Sequence, residues 1–300
     1  MDKLDGRVAV ITGAGRGIGA SLARIMAREG CAVVVNDLGG AVDGSGEDKA
    51  PAQQVVDEIV KAGGTAVANF EDVSNHAAAE KIIQCALDEF GQLDVLVNVA
   101  GILRDRMIFN MSEEEWDAVI NVHLKGTFNT SKFAAIQWRK ERKGHYRLIN
   151  FSSGSGLHGA PGQPNYAAAK LGIVGFTYSC ANALAPYGVT ANAIGPGAAT
   201  RMTATVPEAR RRMPQTPDDP ERSPDNIATP VVFLASTQSD WLSGRVIGVS
   251  GYRISLYSHY EVIREISSTQ PFGIDEAFEH IERSFRPAVE GPSGERVVGG

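Results

Sequence analysis

Cysteine is scarce in this chain: Cys31, Cys85 and Cys180 are the only three in 300 residues, and none stands in a C-x-x-C pair. Thiols this sparse exclude a disulfide framework and a thiolate zinc site, and read as buried, reduced side chains. Six histidines are present, with no H-x-x-x-H pair beside an acid, so no metal is expected. Positive charge is in deficit. The net charge of −6 removes the electrostatic footing for a nucleic-acid role. The basic clusters Arg139-Lys140-Glu141-Arg142-Lys143 and Arg210-Arg211-Arg212 are local and read as solvated helix faces. No run approaches the ~18 apolar residues of a membrane span. The start, Met1-Asp2-Lys3-Leu4-Asp5-Gly6, has no apolar leader core. A soluble, cytoplasmic protein with no membrane or nucleic-acid partner is expected. Internal repeats and low-complexity tracts are also missing.

What remains is a chain built for a core: 43% of residues are hydrophobic, and 33 glycines permit tight turns and close backbone approaches. Apolar runs and helical patterns alternate from the start. Strands are predicted at Arg7–Thr12, Ala32–Asn36, Thr65–Asn69, Leu93–Asn98, Arg147–Phe151, Thr190–Ile194 and Arg245–Val249. Helices are predicted from Ile18 to Met26, over Pro51–Lys61, Ala77–Phe90, one or two within Ser112–Arg142, then Asn165–Ala185 and Asn226–Ala235. Ser112-Glu113-Glu114-Glu115 supplies a capping box. This alternation predicts an α/β fold, a doubly wound parallel sheet covered on both faces, as one domain over residues 1–252. Ligands of such a sheet bind beyond the strand C-termini at the switch point. Three segments break the rhythm. Leu38–Lys49 is a long glycine- and acid-rich loop, and Gly197–Pro224 lies where a substrate lid would sit. Residues 253–300 form a C-terminal extension in which Ile274, Phe278 and Ile281 share one helical face.

Thr12-Gly13-Ala14-Gly15-Arg16-Gly17-Ile18-Gly19 joins the first strand to the first helix. Glycines there let the backbone approach a pyrophosphate, and the helix N-terminus supplies amide donors. The spacing is G-x-x-x-G-x-G rather than G-x-G-x-x-G. Asp37 follows the second strand, where a carboxylate accepts both ribose hydroxyls of an adenosine and repels a 2′-phosphate. NAD is therefore expected, although Arg16 is a cation able to pair with such a phosphate.

Tyr166 and Lys170 stand one helical turn apart, and Ser153 precedes the tyrosine by thirteen residues. Phenol and ammonium then share a face. A nearby cation favours the phenolate, and a serine hydroxyl can hold an alcohol or carbonyl oxygen. Together they make a proton-transfer site for interconverting a secondary alcohol and a ketone.

With these residues in view, the chain from about Leu4 to Gly251 resembles the short-chain dehydrogenase/reductase family, a Rossmann fold. The resemblance rests on the glycine loop, Asp72-Val73, Asn98-Val99-Ala100-Gly101, Asn121, Ser153, Tyr166-x-x-x-Lys170 and Pro196-Gly197. It implies that Tyr166 is the general acid/base, that Ser153 orients the substrate oxygen, and that Lys170 binds the nicotinamide ribose and lowers the tyrosine pKa. Asn121 would hold a water that relays protons to Lys170. Cofactor contacts would come from Gly13, Arg16, Gly17, Ile18, Gly19, Asp37, Leu38, Asp72, Val73, Asn98, Ala100, Gly101, Tyr166, Lys170, Pro196, Gly197 and Thr200. Val99 departs from the pattern, which usually has a second asparagine there. Asn36-Asp37-Leu38-Gly39-Gly40, Ala100–Arg106 and Arg201-Met202-Thr203 look most like the (3R)-hydroxyacyl-CoA dehydrogenase unit of peroxisomal multifunctional enzyme type 2 and its stand-alone bacterial relatives. An oxidoreductase for a hydroxyacyl thioester, a hydroxysteroid or another hydrophobic alcohol is implied, as a homodimer or homotetramer. Arg210-Arg211-Arg212 would meet coenzyme-A phosphates, or form a solvated helix start.

Overall fold

The computed structural model describes residues 2–142, 144–198 and 219–290. Among these, eight strands form one sheet in the order β3-β2-β1-β4-β5-β6-β7-β8. They are β1 (Val8–Thr12), β2 (Ala32–Asn36), β3 (Thr65–Asn69), β4 (Val95–Asn98), β5 (Tyr146–Phe151), β6 (Val189–Gly197), β7 (Arg245–Ser250) and β8 (Arg253–Leu256). The helices are α1 (Gly17–Arg28), α2 (Ala50–Lys61), α3 (His76–Phe90), α4 (Glu113–Ile120), α5 (Gly126–Glu141), α6 (Gly154–His158), α7 (Pro164–Leu184), α8 (Asp225–Ala235) and α9 (Ile274–Glu290). The first compact unit closes at Tyr257, and a second, containing α9, begins at Ser258.

Strands β1, β4 and β5 are buried along their whole length, which explains their unbroken apolar runs. Ile11, Val33 and Val35 pack under Leu22 and Met26 of α1 and Val231 of α8. On the opposite face Val10, Val34 and Leu96 meet Ile82 of α3 and Trp138 of α5. The Trp138 indole N–H donates to the Leu93 carbonyl at 2.7 Å, so burying this large ring leaves no polar atom unpaired. The predicted capping box is present at α4, where Ser112 and Glu115 exchange side-chain to backbone bonds.

The chain winds outward from β1 to β3, then crosses to β4 on the other side of β1. That reversal opens a crevice above Thr12 and Asn98, which are register partners. Two features differ from the sequence reading. The sheet is not wholly parallel, because β8 pairs antiparallel with β7 through a two-residue turn at Gly251-Tyr252. Arg253–Leu256, assigned to the extension, is thus the last strand of the sheet. Strand β6 also runs on through Pro196 and Gly197, which pair with Val249 and Ser250 instead of entering a loop at once.

Candidate active site

A cleft of about 460 Å³ lies at the crevice, lined from Gly13 and Ile18 at one end to Tyr166 and Lys170 at the other. At the nucleotide end the backbone sets the shape. Gly13 adopts φ +65°, and a Cβ there would fall 2.7 Å from the Ala100 Cα. At Gly19 a Cβ would stand 2.1 Å from the Gly13 carbonyl oxygen. Thr12 closes the other wall, its hydroxyl accepting from the Val99 and Ala100 amides at 3.1 and 3.2 Å. Helix α1 starts without a side-chain cap and without an acid in its first turn. Its first amides therefore face the cleft as donors, the arrangement a pyrophosphate requires. Asp37 follows β2 with one oxygen accepting from the Gly15 amide at 2.7 Å and the other from the Gly39 amide at 2.6 Å. Arg16 is drawn away to the Gly39 and Gly40 carbonyls, both at 3.3 Å, and to Asp48 at 3.5 Å. Glycines, capless helix and carboxylate together fit a dinucleotide.

At the other end the geometry depends on burial. Lys170, 4% exposed, donates from Nζ to the Phe151 carbonyl at 2.7 Å and lies 5.6 Å from the centre of the Tyr166 ring. Burial pushes the ammonium down to about 7. The Tyr166 phenol is pushed up to about 12 by burial, with the nearby Ser153 hydroxyl pulling downward and Asp105 pushing further up. The Lys170 ammonium, held on the Phe151 carbonyl, is not among the groups that set this value. Ser153 caps α6 and accepts from the Ser155 amide at 3.2 Å. The neighbouring hydroxyls are committed elsewhere, Ser152 to the Lys170 carbonyl and Ser155 to Gln163. Asn121 opens a π-helical turn, Asn121–Lys125, between α4 and α5, and borders the cleft. Such turns recur where a helix must re-aim side chains at a functional site.

The profile of the short chain dehydrogenases matches residues 7–211. The chain belongs to the short chain dehydrogenase family. As a member of that family it is an oxidoreductase acting on CH–OH groups with a nicotinamide cofactor. It is 45% identical over 275 residues to a hydroxyacyl-CoA dehydrogenase of Mycobacterium tuberculosis, covering 88% of this chain and 84% of that one. It is likewise 45% identical over 204 residues to the peroxisomal multifunctional enzyme type 2 of Mus musculus, covering 68% of this chain but 27% of that protein. A crystal structure of a short chain dehydrogenase from Mycobacterium avium superposes with a TM-score of 0.82 at 42% identity, over 94% of this chain and 95% of that one.

Most of the residues expected from the short chain dehydrogenase pattern line one cleft: Gly13, Arg16, Gly17, Ile18, Gly19, Asp37, Leu38, Asp72, Val73, Ala100, Gly101, Asn121, Tyr166, Lys170 and Pro196. Asn98 stands apart. Its side chain is buried, donating to Asn150 and Ser131 and accepting from Thr130, so it ties β4, β5 and α5 together instead of bordering the cleft. Gly197 lies beyond the lining, exposed at the end of β6. Thr200, most of the expected lid and Arg210-Arg211-Arg212 fall outside the described residues. Sequence reasoning missed the role of the long loop after β2, whose Gly40, Ala41, Val42 and Gly44 line the cleft. That loop is fastened by the Leu103 amide to the Val42 carbonyl and by Arg104 Nε to the Asp43 carbonyl. His123 was also passed over; its only signal is a histidine inside the apolar run Val122-His123-Leu124.

Proposed function

We propose that this enzyme oxidises a 3-hydroxyacyl thioester with NAD. The observation that carries the reading is the single cleft joining the glycine loop to Tyr166 and Lys170. Tyr166 accepts the hydroxyl proton, Ser153 holds the substrate oxygen, and Lys170 binds the nicotinamide ribose. Asn121 belongs to the proton path toward Lys170. The nicotinamide, when bound, accepts the hydride from the carbinol carbon. The protein contributes orientation and the proton acceptor. Since enclosure raises the phenol to about 12, the oxidation quickens with rising pH below that value, while the reverse reduction, which uses the protonated phenol, stays flat.

Asp37 supports NAD over NADP. Its carboxylate is fixed by two amides beside the position of the adenosine ribose, and it meets a 2′-phosphate with like charge. Arg16, the one residue of the glycine loop able to offset that charge, is engaged by the loop after β2. The relative named hydroxyacyl-CoA dehydrogenase supports the thioester over a hydroxysteroid or another hydrophobic alcohol. The reading includes a cytoplasmic homodimer or homotetramer. Support comes from the exposed Phe128 and Ile136 of α5 and Leu171 of α7, apolar side chains suited to helix pairing across a two-fold axis.

The test is absorbance at the reduced-nicotinamide band with NAD or NADP and a panel of 3-hydroxyacyl-CoAs, hydroxysteroids and simple secondary alcohols. The expected result is turnover on the thioesters with NAD. A preference for NADP removes the Asp37 argument, and turnover on steroids alone removes the thioester.

A further inference from the structure

His123 touches the centre of the proposed chemistry and has no task in it. The π-helical turn Asn121–Lys125 delivers its ring into the protein, where it is 1% exposed. One edge meets the backbone of Ile102: Nε2 lies 3.0 Å from the amide nitrogen and 2.8 Å from the carbonyl oxygen. The ring also stands edge to face with Tyr166, at 89° and 5.1 Å between centres. A Cβ on Gly101 would fall 2.1 Å from His123 Cε1, so the cofactor wall is bare of a side chain where this ring passes. One imidazole therefore contacts the phenol and the wall beside it.

The ring stays neutral. Burial holds its pKa well below the usual imidazole range, and the Lys170 ammonium adds to the effect. A neutral imidazole carries one proton. It can accept from the Ile102 amide or donate to the Ile102 carbonyl, and in either tautomer Nδ1 meets no partner. A buried polar atom left unpaired costs about 1–3 kcal/mol. An apolar side chain would spare that cost but leave the Ile102 amide without its acceptor, so hydrogen-bond balance alone does not decide for a histidine. Ile102 lies next to residues with anchors of their own, Leu103 on Val42 and Arg104 on Asp43. The wall beyond Ile102 thus has its own support, and the ring is left to serve Ile102 and the phenol.

We infer that His123 is a positioning residue for Tyr166: its ring edge fixes the height and tilt of the phenol beside the Gly101–Ile102 wall. The inference rests on the proposed acid–base role of Tyr166. Misplacement of a reacting group by about an ångström is worth on the order of 10²-fold in rate, so the loss falls in kcat.

The test uses the full chain with NAD and 3-hydroxybutyryl-CoA. His123→Ala is expected to lower kcat about 10-fold or more, with KM and the NAD Kd within about 3-fold of wild type. His123→Phe keeps a ring of similar shape. It should retain kcat within about 3-fold while melting lower, because the Ile102 amide loses its partner. In the Tyr166→Phe background, His123→Ala should change the residual rate by less than about 2-fold, since the hydroxyl through which it acts is gone. An undiminished loss in that background, a loss carried by KM or Kd, or a phenylalanine as damaging as alanine overturns the inference. Should the alanine variant fail to fold, His123→Leu, which fills the site without an aromatic edge, takes its place in the same comparison. If Tyr166→Phe alone keeps full activity, the acid–base reading has failed; if Tyr166→Phe is inactive and every His123 variant is normal, only the positioning role has.

Discussion

The two ends of the cleft are built by opposite means. At the nucleotide end the working groups are backbone amides, bare glycines and a carboxylate held by the Gly15 and Gly39 amides. At the end proposed for proton transfer stand two ionisable side chains, the buried Lys170, lowered to about 7, and the half-buried Tyr166, whose phenol is raised to about 12. Dinucleotide binding needs shape and donors, which a folded backbone supplies without further penalty. Burying ionisable groups displaces their pKa values, and at Lys170 that displacement comes at the expense of stability below pH 10.5. The contrast predicts that substitutions at one end change affinity, while those at the other change rate and pH dependence.

The largest effect is expected at the phenol. Tyr166→Phe keeps the ring against His123 and removes the proton acceptor, so kcat should fall by at least about 10²-fold with NAD affinity nearly unchanged. Stopped-flow turnover beside NAD titration separates the two. Near-normal turnover removes Tyr166 from the mechanism.

Next comes Lys170, where the readout is stability. The folded lysine titrates near 7 and the unfolded one near 10.5. Between those values the unfolded chain binds a proton that the folded chain has shed, so stability rises as pH rises through that window. Below about 7 both states carry the proton and the burial penalty is fully present. Tyr166 acts in the opposite sense, but only above about 10, where the folded phenol keeps a proton the unfolded one has lost. The wild-type minus Lys170→Met difference in unfolding free energy should therefore climb by about 3 kcal/mol from pH 6.5 to 9.5. A flat difference curve means that the ammonium is not desolvated as its burial indicates.

Both ends were legible in the sequence to the extent that they are local. The glycine loop and the Tyr166–Lys170 spacing are set within one turn or one helix, so residue types and intervals reveal them. Asn98 was misjudged because its surroundings come from β5 and α5. No interval within the chain says that an asparagine after an apolar run will be a core hub instead of a cleft residue. His123 was hidden for the same reason, since its partners at Ile102 and Tyr166 lie in other segments. Likewise the ranking of burial over charge at Tyr166 is a property of enclosure, not of spacing. Strand β8 was missed for want of an apolar run, all four of its residues being exposed. A signal did exist, because Gly251 with φ +58° in a two-residue turn is hairpin chemistry.

A third substitution probes the glycine-built end. Gly19→Ala places a methyl 2.1 Å from the Gly13 carbonyl, a backbone atom that can move only by deforming the loop. NAD affinity should weaken about 10²-fold, while kcat at saturating NAD changes little. Fluorescence titration of NAD together with saturation kinetics checks both halves. A fall in kcat with affinity intact would show that the two ends are mechanically coupled and would undo the comparison.

The smallest effect, and the sharpest test of the carboxylate, is expected from Asp37→Ala. In the wild type its two oxygens accept from the Gly15 and Gly39 amides, and under the proposed reading they also accept from the ribose hydroxyls of NAD. Removing the carboxylate takes away two hydroxyl contacts for NAD and the repulsion of a 2′-phosphate. The first lowers kcat/KM for NAD, and the second raises it for NADP. Arg16 limits the gain, because it must leave the Gly39 and Gly40 carbonyls and Asp48 before it can pair with the phosphate. We therefore expect the NAD-to-NADP ratio of kcat/KM to fall about 10-fold without inverting to a strong NADP preference. Asp37→Ala combined with Asp48→Ala, which frees one hold on Arg16, should carry the ratio further toward NADP. An unchanged ratio in the single variant would mean that cofactor choice is not made at the end of β2, and a double variant no different from the single one would mean that Arg16 is not the restrained cation.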